Sequence, residues 1–201
     1  MALRSTVHEI VKWPVINNWL RRILEFNYRG EKLVIKKEIP WNIKVLDVGC
    51  GTGELCQEFP MASYSGIDVN PINIKYAKRR YPGYRFNEMN ATSLSFERWV
   101  FDVVLIAGVL HHCDQQVVTV ILQEVDRVLK DDGKVVIWED VLTRKKYNFI
   151  GRMVHAFDQG DYILSEETYM QIFSTNFAIN DTYPMRSGFC DYRVFVLSKR
   201  T

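Results

Sequence analysis

From position 43 onward, apolar runs of strand length alternate with segments whose apolar residues recur every three to four positions, the pattern of a parallel sheet covered by helices on both faces. A first strand is predicted over Ile43 to Val48, followed by a helix from Gly53 and a second strand over Tyr64 to Val69. Asn70 reads as an N-cap with Pro71 at the first helical position, opening a helix that runs to about Arg80 and stops before Pro82 and Gly83. A short strand near Tyr84 to Phe86 and a polar loop precede FDVVLIAGVLHH, whose unbroken apolar run suits a strand buried on both faces. Val118, Ile121, Val125 and Leu129 then share a helical face, Asp132 and Gly133 suggest a turn, and Lys134 to Trp138 reads as a further buried strand. In the last quarter Ser165 caps a helix with Glu166 and Glu167 in its first turn and Tyr169, Ile172 and Phe173 on its apolar face. The final strands, near Ala178 to Tyr183 and Tyr192 to Ser198, are joined by a connection too short for a parallel crossover, so they should pair antiparallel.

The pattern ahead of position 43 is different. Val7, Ile10 and Val11, then Trp19, Leu20, Ile23 and Leu24, repeat at helical spacing on either side of Pro14. This predicts two short amphipathic helices, with three readings open: packing on the sheet, a lid over a site that Tyr28 and Arg29 could reach, or a membrane-surface helix using Trp13, Trp19, Arg21 and Arg22. Residues 1–42 are therefore set apart as an N-terminal helical cap or lid, and residues 43–201 as the main domain.

Composition narrows the class. A chain of 201 residues that is 47% hydrophobic can bury a core unaided, and a net charge of +2 is too small to imply an extended nucleic-acid surface. Cys50, Cys56, Cys113 and Cys190 contain no C-x-x-C pair, which signals neither a disulfide framework nor a zinc site. His8, Glu9 and Lys12 interrupt any signal-peptide apolar region, and the longest apolar run, Val100 to Leu110, is about half the length a spanning helix requires. The expectation is a cytoplasmic protein with free thiols.

The chemistry is concentrated in KVLDVGCGTG, Lys44 to Gly53, where a strand runs into glycines at alternate positions. Glycine lets backbone approach a ligand closely, so Gly49, Gly51 and Gly53 imply a cofactor against the chain or, in the plainer reading, a tight strand-to-helix turn. The dinucleotide fingerprint G-x-G-x-x-G places its third glycine one residue later, where Glu54 stands, which disfavours a nicotinamide or flavin enzyme. Nineteen positions after Gly49, Asp68 stands at the end of the second strand, where a carboxylate can accept hydrogen bonds from both ribose hydroxyls; Asn70 already supplies the helix cap. Asn90 and Ala91 lie in the loop after the third strand, where an amide side chain can meet a purine edge or simply belong to a polar loop. Asp47 is an acid inside an apolar run and needs a partner.

Motif, order and context together resemble the class I methyltransferases that use S-adenosylmethionine. The resemblance covers Ile43 to Asp140 well and the flanks by architecture. It implies an α/β, Rossmann-like three-layer sandwich: a seven-stranded, mostly parallel sheet ending in an antiparallel hairpin. It also implies that the turn carrying Gly49, Cys50, Gly51 and Gly53 holds the methionine part of the cofactor, and that Asp47 helps organise its ammonium group; a structural bond from Asp47 to the turn amides is the competing account. By the same resemblance Val69 lies along the adenine face, Asn90 stands where many relatives carry aspartate against the adenine amino group, and the Ala107 carbonyl approaches the ammonium.

Titration near neutral pH nominates the catalytic candidates: His111 and His112 after the fourth strand, where a structural role competes with proton transfer, and His155 farther on. No metal is implied, since His111, His112 and Cys113 are consecutive and cannot easily converge on one ion. The tetrapeptide of Asn or Asp, two prolines and an aromatic, by which many methyltransferases of DNA, RNA and protein glutamine are recognised, is missing after the fourth strand. A small-molecule acceptor is therefore expected, nucleic acid is not, and residues 141–164 are the candidate substrate lid, with Arg144, Lys145 and Lys146 a possible anion contact or a solvated face. An inactive S-adenosylmethionine-binding regulator and an NAD(P)-dependent oxidoreductase remain as alternatives. The sequence leaves the acceptor atom and the oligomeric state open.

Overall fold

The computed structural model describes residues 21–141 and 162–200. Seven strands form one sheet in the order β3-β2-β1-β4-β5-β7-β6. β1 (Val45–Val48), β2 (Tyr64–Asp68), β3 (Arg85–Glu88), β4 (Phe101–Ala107) and β5 (Leu129–Glu139) are parallel, while β6 (Phe177–Ser187) and β7 (Cys190–Lys199) form an antiparallel hairpin that joins through β7 to β5. Four helices of ten or more residues accompany them among the described residues: α1 (Arg29–Glu38), α2 (Pro71–Arg80), α3 (Gln115–Val128) and α4 (Glu166–Asn176).

Alternate residues of the central strands enter two separate cores, which is why the strands read as continuous apolar runs. Leu46, Val48, Val104 and Ile106 pack with α3 and α4 residues such as Val118, Leu122, Tyr169 and Phe173. Val45, Val103, Leu105, Val136 and Trp138 pack with Val34 and Ile35 of α1 and Ile74 and Ala77 of α2. The caps obey the sequence: Asn70, Asp114 and Ser165 each accept a hydrogen bond from a backbone amide in the first turn of α2, α3 and α4. The chain moves outward from β1 through β2 to β3, then returns to place β4 on the other side of β1. This reversal opens a crevice at the carboxyl ends of β1 and β4.

Three local expectations are corrected. After Gly53 no long helix forms; a single 3-10 turn, Cys56–Glu58, ends before Pro60, which cannot supply the amide a continuing helix needs. Asp132 and Gly133 do not separate two elements but lie in an irregularity of β5, where Phe101 pairs with Leu129 and Val103 already pairs with Lys134. Gly133 fits there because a Cβ would stand 2.8 Å from Leu129 and 3.0 Å from the Asp102 carbonyl. The terminal strands are longer than predicted, with Ser187 paired to Cys190 across Gly188, whose φ is +57°, and Phe189. That left-handed residue permits the tight turn without strain.

The hairpin tip receives the segment that leads into α1. Gly30 packs so closely that a Cβ would lie 2.5 Å from the Arg186 carbonyl oxygen, and the Gly30 amide donates to Ser187 Oγ at 3.2 Å. Ser187 Oγ donates to the Glu31 carboxylate and lies 3.0 Å from the Glu25 carbonyl. Tyr192 donates to Glu25 at 3.2 Å, and Arg21 pairs with Glu25 at 2.8 Å. Burial, reinforced by the Glu25 charge, pushes the Glu31 carboxyl up to about 8. An acid held protonated in the fold stabilises it below the unfolded value of 4.5, and this contribution is lost as pH rises toward about 8. Glu31→Gln should therefore raise the melting temperature at pH 8 by several degrees and leave it nearly unchanged at pH 4.5; an equal shift at both pH values, monitored by circular dichroism, would contradict the assignment.

Candidate active site

The glycine turn is built by three left-handed residues, Gly49, Gly51 and Gly53, with φ of +73°, +54° and +77°. Two of them also face close neighbours: a Cβ would lie 2.5 Å from Val109 at Gly49 and 2.7 Å from Phe86 at Gly53. Gly51 is different, since nothing stands within 4 Å of the place its Cβ would take. It needs glycine for its backbone angle and leaves open space beside the chain. The turn is tied to β2 by the Cys50 amide on the Ile67 carbonyl at 2.8 Å and closed by the Gly53 amide on the Cys50 carbonyl at 2.9 Å.

Asp68 adds a third tie. Its Oδ2 accepts from the Gly51 amide at 2.9 Å, and its Oδ1 accepts from the Asn70 amide at 2.8 Å and from Asn73 Nδ2 at 3.4 Å. The carboxylate is only half-buried, so it can serve the turn and still face a ligand hydroxyl. Val69, next in the chain, is 69% exposed, an apolar side chain presented beside the turn.

Asp47 lies behind the turn and is 2% exposed. Tyr64 donates to its Oδ2 at 2.6 Å, whereas Oδ1 is buried with no hydrogen-bond partner. Burial pushes this carboxyl up to about 7, with the Tyr64 hydrogen bond acting against the rise and the Asp68 charge adding to it. Tyr64 was not among the sequence candidates. The residue was legible only as a strand aromatic, because nothing in the spacing pairs it with Asp47 across neighbouring strands. Cys50 is half-buried, and burial pushes its thiol well above the ordinary cysteine value, which makes it a poor nucleophile.

Across the crevice, Ala107 ends β4 and Gly108, with φ of +63°, turns the chain. Glu139, fully buried at the end of β5, holds the loop beyond Gly108: its Oε1 accepts from the Val109 and Leu110 amides at 2.8 and 2.6 Å, and its Oε2 lies 2.7 Å from His111 Nδ1. His111 is thus a buried residue committed to loop geometry, while the adjacent His112 faces solvent. Glu139 is a second residue that sequence reading missed; an acid closing an apolar strand, LKDDGKVVIWE, was the available signal. Asn90 is exposed and turned into its own loop, its Oδ1 accepting from the Thr92 amide at 3.0 Å and hydroxyl at 2.9 Å. Both lone pairs are occupied, so Asn90 offers a purine its amide donor rather than its carbonyl. Ala91 is half-buried beside it. The structure therefore gathers Asp47, Gly49, Cys50, Gly51, Gly53 and Asp68 around one turn, with Val69, Asn90, Ala91 and Ala107 at the ends of the adjoining strands. His155 and nearly all of the candidate lid lie outside the described residues.

The residues present suit S-adenosylmethionine on three observations: open space at Gly51, a buried and unpartnered Asp47 Oδ1, and an exposed apolar Val69 beside the ribose-competent Asp68. Known proteins agree. Residues 46–137 match the family described as methyltransferase domain. Over 96 residues the chain is 40% identical to the probable phthiotriol/phenolphthiotriol dimycocerosates methyltransferase 2 of Mycobacterium ulcerans, a match covering 45% of this chain and 36% of that protein. Over 111 residues it is 36% identical to the eEF1A lysine and N-terminal methyltransferase of Mus musculus, covering 51% of this chain and 16% of that protein. The chain thus matches about a third or less of these curated relatives' length. A SAM-dependent methyltransferase structure from Methanosarcina mazei, 22% identical, superposes with a TM-score of 0.67 over 83% of this chain and 96% of that one, a likeness of fold. With the strand order, the glycine turn and the domain match in agreement, the chain has the class I, Rossmann-like fold, and residues 46–137 within it match the methyltransferase domain family.

Proposed function

We propose that this chain transfers the methyl group of S-adenosylmethionine to a small-molecule acceptor. The observation that carries the reading is the turn itself, where left-handed Gly51 faces open space and gives its amide to Asp68, with Asp47 buried nearby in β1. When bound, the cofactor supplies a methyl group already activated on a sulfonium centre. Asp68 would take the ribose hydroxyls, Val69 and Asn90 the adenine, and Asp47 with the Ala107 carbonyl the ammonium end. What remains for the protein is to hold the acceptor in line at near-attack distance and exclude water. If the acceptor must lose a proton, exposed His112 is better placed to take it than His111, whose Nδ1 is engaged by Glu139. Residues 1–20, which carry Val7, Ile10, Val11, Trp13, Trp19 and Leu20 of the predicted amphipathic segments, lie outside the described residues, and residues 21–42 are read as a cap in which Arg22 reaches Glu54, the residue after the third glycine, at 2.6 Å.

The net charge of +2 and the phthiotriol/phenolphthiotriol dimycocerosates named for the Mycobacterium ulcerans relative favour a small-molecule acceptor over nucleic acid. No helix among the described residues is long and apolar enough to cross a membrane, and four free cysteines accord with a reducing, cytoplasmic setting. Calorimetric titration with S-adenosylmethionine and S-adenosylhomocysteine tests the cofactor half of the reading, and a folded sample that binds neither defeats it. Radiolabelled transfer into fractionated host extract tests the acceptor half: label in the lipid or small-metabolite fraction is expected, whereas label in protein would assign the acceptor class named for the mouse relative.

A further inference from the structure

We infer that Tyr64 is a positioning residue for the amino-acid end of the cofactor: its hydroxyl fixes the Asp47 carboxylate so that one oxygen is satisfied within the protein and the other is kept for the cofactor's ammonium group. The inference rests on the S-adenosylmethionine reading above.

The geometry assigns different work to the two oxygens of Asp47. Oδ2 receives a charge-assisted bond of 2.6 Å from Tyr64, and Oδ1 is buried without a partner. A buried acceptor left unpaired costs stability, and a structural carboxylate would normally have both oxygens engaged. Three of the turn amides are used elsewhere: those of Cys50, Gly51 and Gly53 bond to the Ile67 carbonyl, Asp68 and the Cys50 carbonyl. The orphan oxygen therefore belongs to a ligand donor, and the class that suits a buried carboxylate is a cation.

Tyr64 is built to hold its position. Its ring is fully buried among Phe59, Tyr84 and Phe86, with ring centroids 5.5 to 5.7 Å away. Gly66 lets the hydroxyl pass, since a Cβ there would lie 2.9 Å from it. Strand register carries the phenol to its partner, because Tyr64 pairs with Val45 in β1 and Asp47 stands two residues on, on the same face of the sheet. The ionisable groups that act on Asp47 are Tyr64 itself and Asp68; Cys50 and Cys56 lie close enough to feel its charge. Of these only Tyr64 favours the anion. Without its hydroxyl, Asp47 would hold its proton to higher pH and present a neutral acid to the ammonium.

The test uses two ligands that differ in the group Asp47 would hold. S-adenosylhomocysteine carries the ammonium, and 5′-methylthioadenosine keeps the nucleoside but lacks it. Calorimetry between pH 5.5 and 8 on the wild-type chain should show S-adenosylhomocysteine binding weaken as pH falls below about 7, with methylthioadenosine binding level across the range. In Tyr64→Phe, which conserves the ring, this weakening should move upward by about one pH unit, and affinity for S-adenosylhomocysteine at pH 7 should drop about tenfold. Methylthioadenosine should bind as before. Asp47→Asn should weaken S-adenosylhomocysteine at every pH and abolish the pH dependence. Equal losses for both ligands in Tyr64→Phe would mean a structural role and overturn the inference, as would an unshifted pH profile. Should that variant fail to fold, a flat wild-type profile for S-adenosylhomocysteine overturns it alone. Failure of the folded wild-type chain to bind either ligand removes the cofactor reading itself, a result distinct from both.

Discussion

Replacing Glu139 by alanine should destabilise the fold by about 3 to 5 kcal/mol, the largest loss expected from any single side chain at the crevice. Glu139 is fully buried and serves two backbone amides and one imidazole at 2.6 to 2.8 Å. Its removal strands the Val109 and Leu110 amides in an apolar setting, where each unpaired donor carries its own desolvation cost. It also leaves a void between β5 and the loop after β4. Urea unfolding should show a lower midpoint at constant slope. Glu139→Gln keeps one carbonyl oxygen for the two amides and should recover roughly half of the loss. A cost below about 1 kcal/mol for the alanine variant would show that the loop holds itself without the carboxylate.

The consequence reaches the site, because this loop begins at Ala107 and Gly108, opposite the glycine turn, and its Val109 packs against Gly49. A Cβ at Gly49 would come within 2.5 Å of that valine. The two walls of the crevice are therefore set against each other through one glycine and one valine, and Glu139 fixes the second wall. His111 contributes here as a tether whose Nδ1 completes the Glu139 set.

Features of the fold and the site were legible in the chain to the extent that the interactions behind them are local. Periodicity located β1, β4 and the inner part of β5 because alternate residues such as Leu46 and Val45 enter opposite cores, leaving no polar face to interrupt the run. Caps were legible because the determinant and its amide are two or three residues apart, as with Asn70 and Ile72 or Ser165 and Thr168. The glycines of the turn and Asp68 were legible for a similar reason: backbone angle and strand end are local properties. Asp47 could be marked as an acid needing a partner, yet Tyr64 could not be chosen from the chain's ten tyrosines, since the pairing depends on strand register. Glu139 and His111 meet across 28 positions of sequence, through a parallel pairing of β4 with β5 that fixes which strand ends are neighbours. The helix expected after Gly53 failed on length, because Pro60 arrives before a second turn can close.

The two carboxylates at the turn should give opposite ligand signatures, and Asp68→Ala supplies the larger of the two effects: about a hundredfold loss of affinity for S-adenosylhomocysteine and for 5′-methylthioadenosine alike. Both ligands carry the ribose, so neither is spared, in contrast to Tyr64→Phe, which should spare the second. Part of this loss is indirect. Asp68 Oδ2 holds the Gly51 amide at 2.9 Å and Oδ1 the Asn70 amide at 2.8 Å, so alanine loosens the turn as well as removing the acceptors for the ribose. Asp68→Asn separates the contributions, because its single carbonyl oxygen can keep one backbone bond but cannot present a charged acceptor pair to a diol. A 2′,3′-dideoxyribose analogue gives the internal control: it should bind the wild-type chain more weakly than the ribose ligand and lose little further in Asp68→Asn, since both hydroxyls that would suffer are already gone. If Asp68→Ala binds both ribose ligands with wild-type affinity by calorimetry, the carboxylate serves only as the brace of the turn, and the ribose must be held by another group.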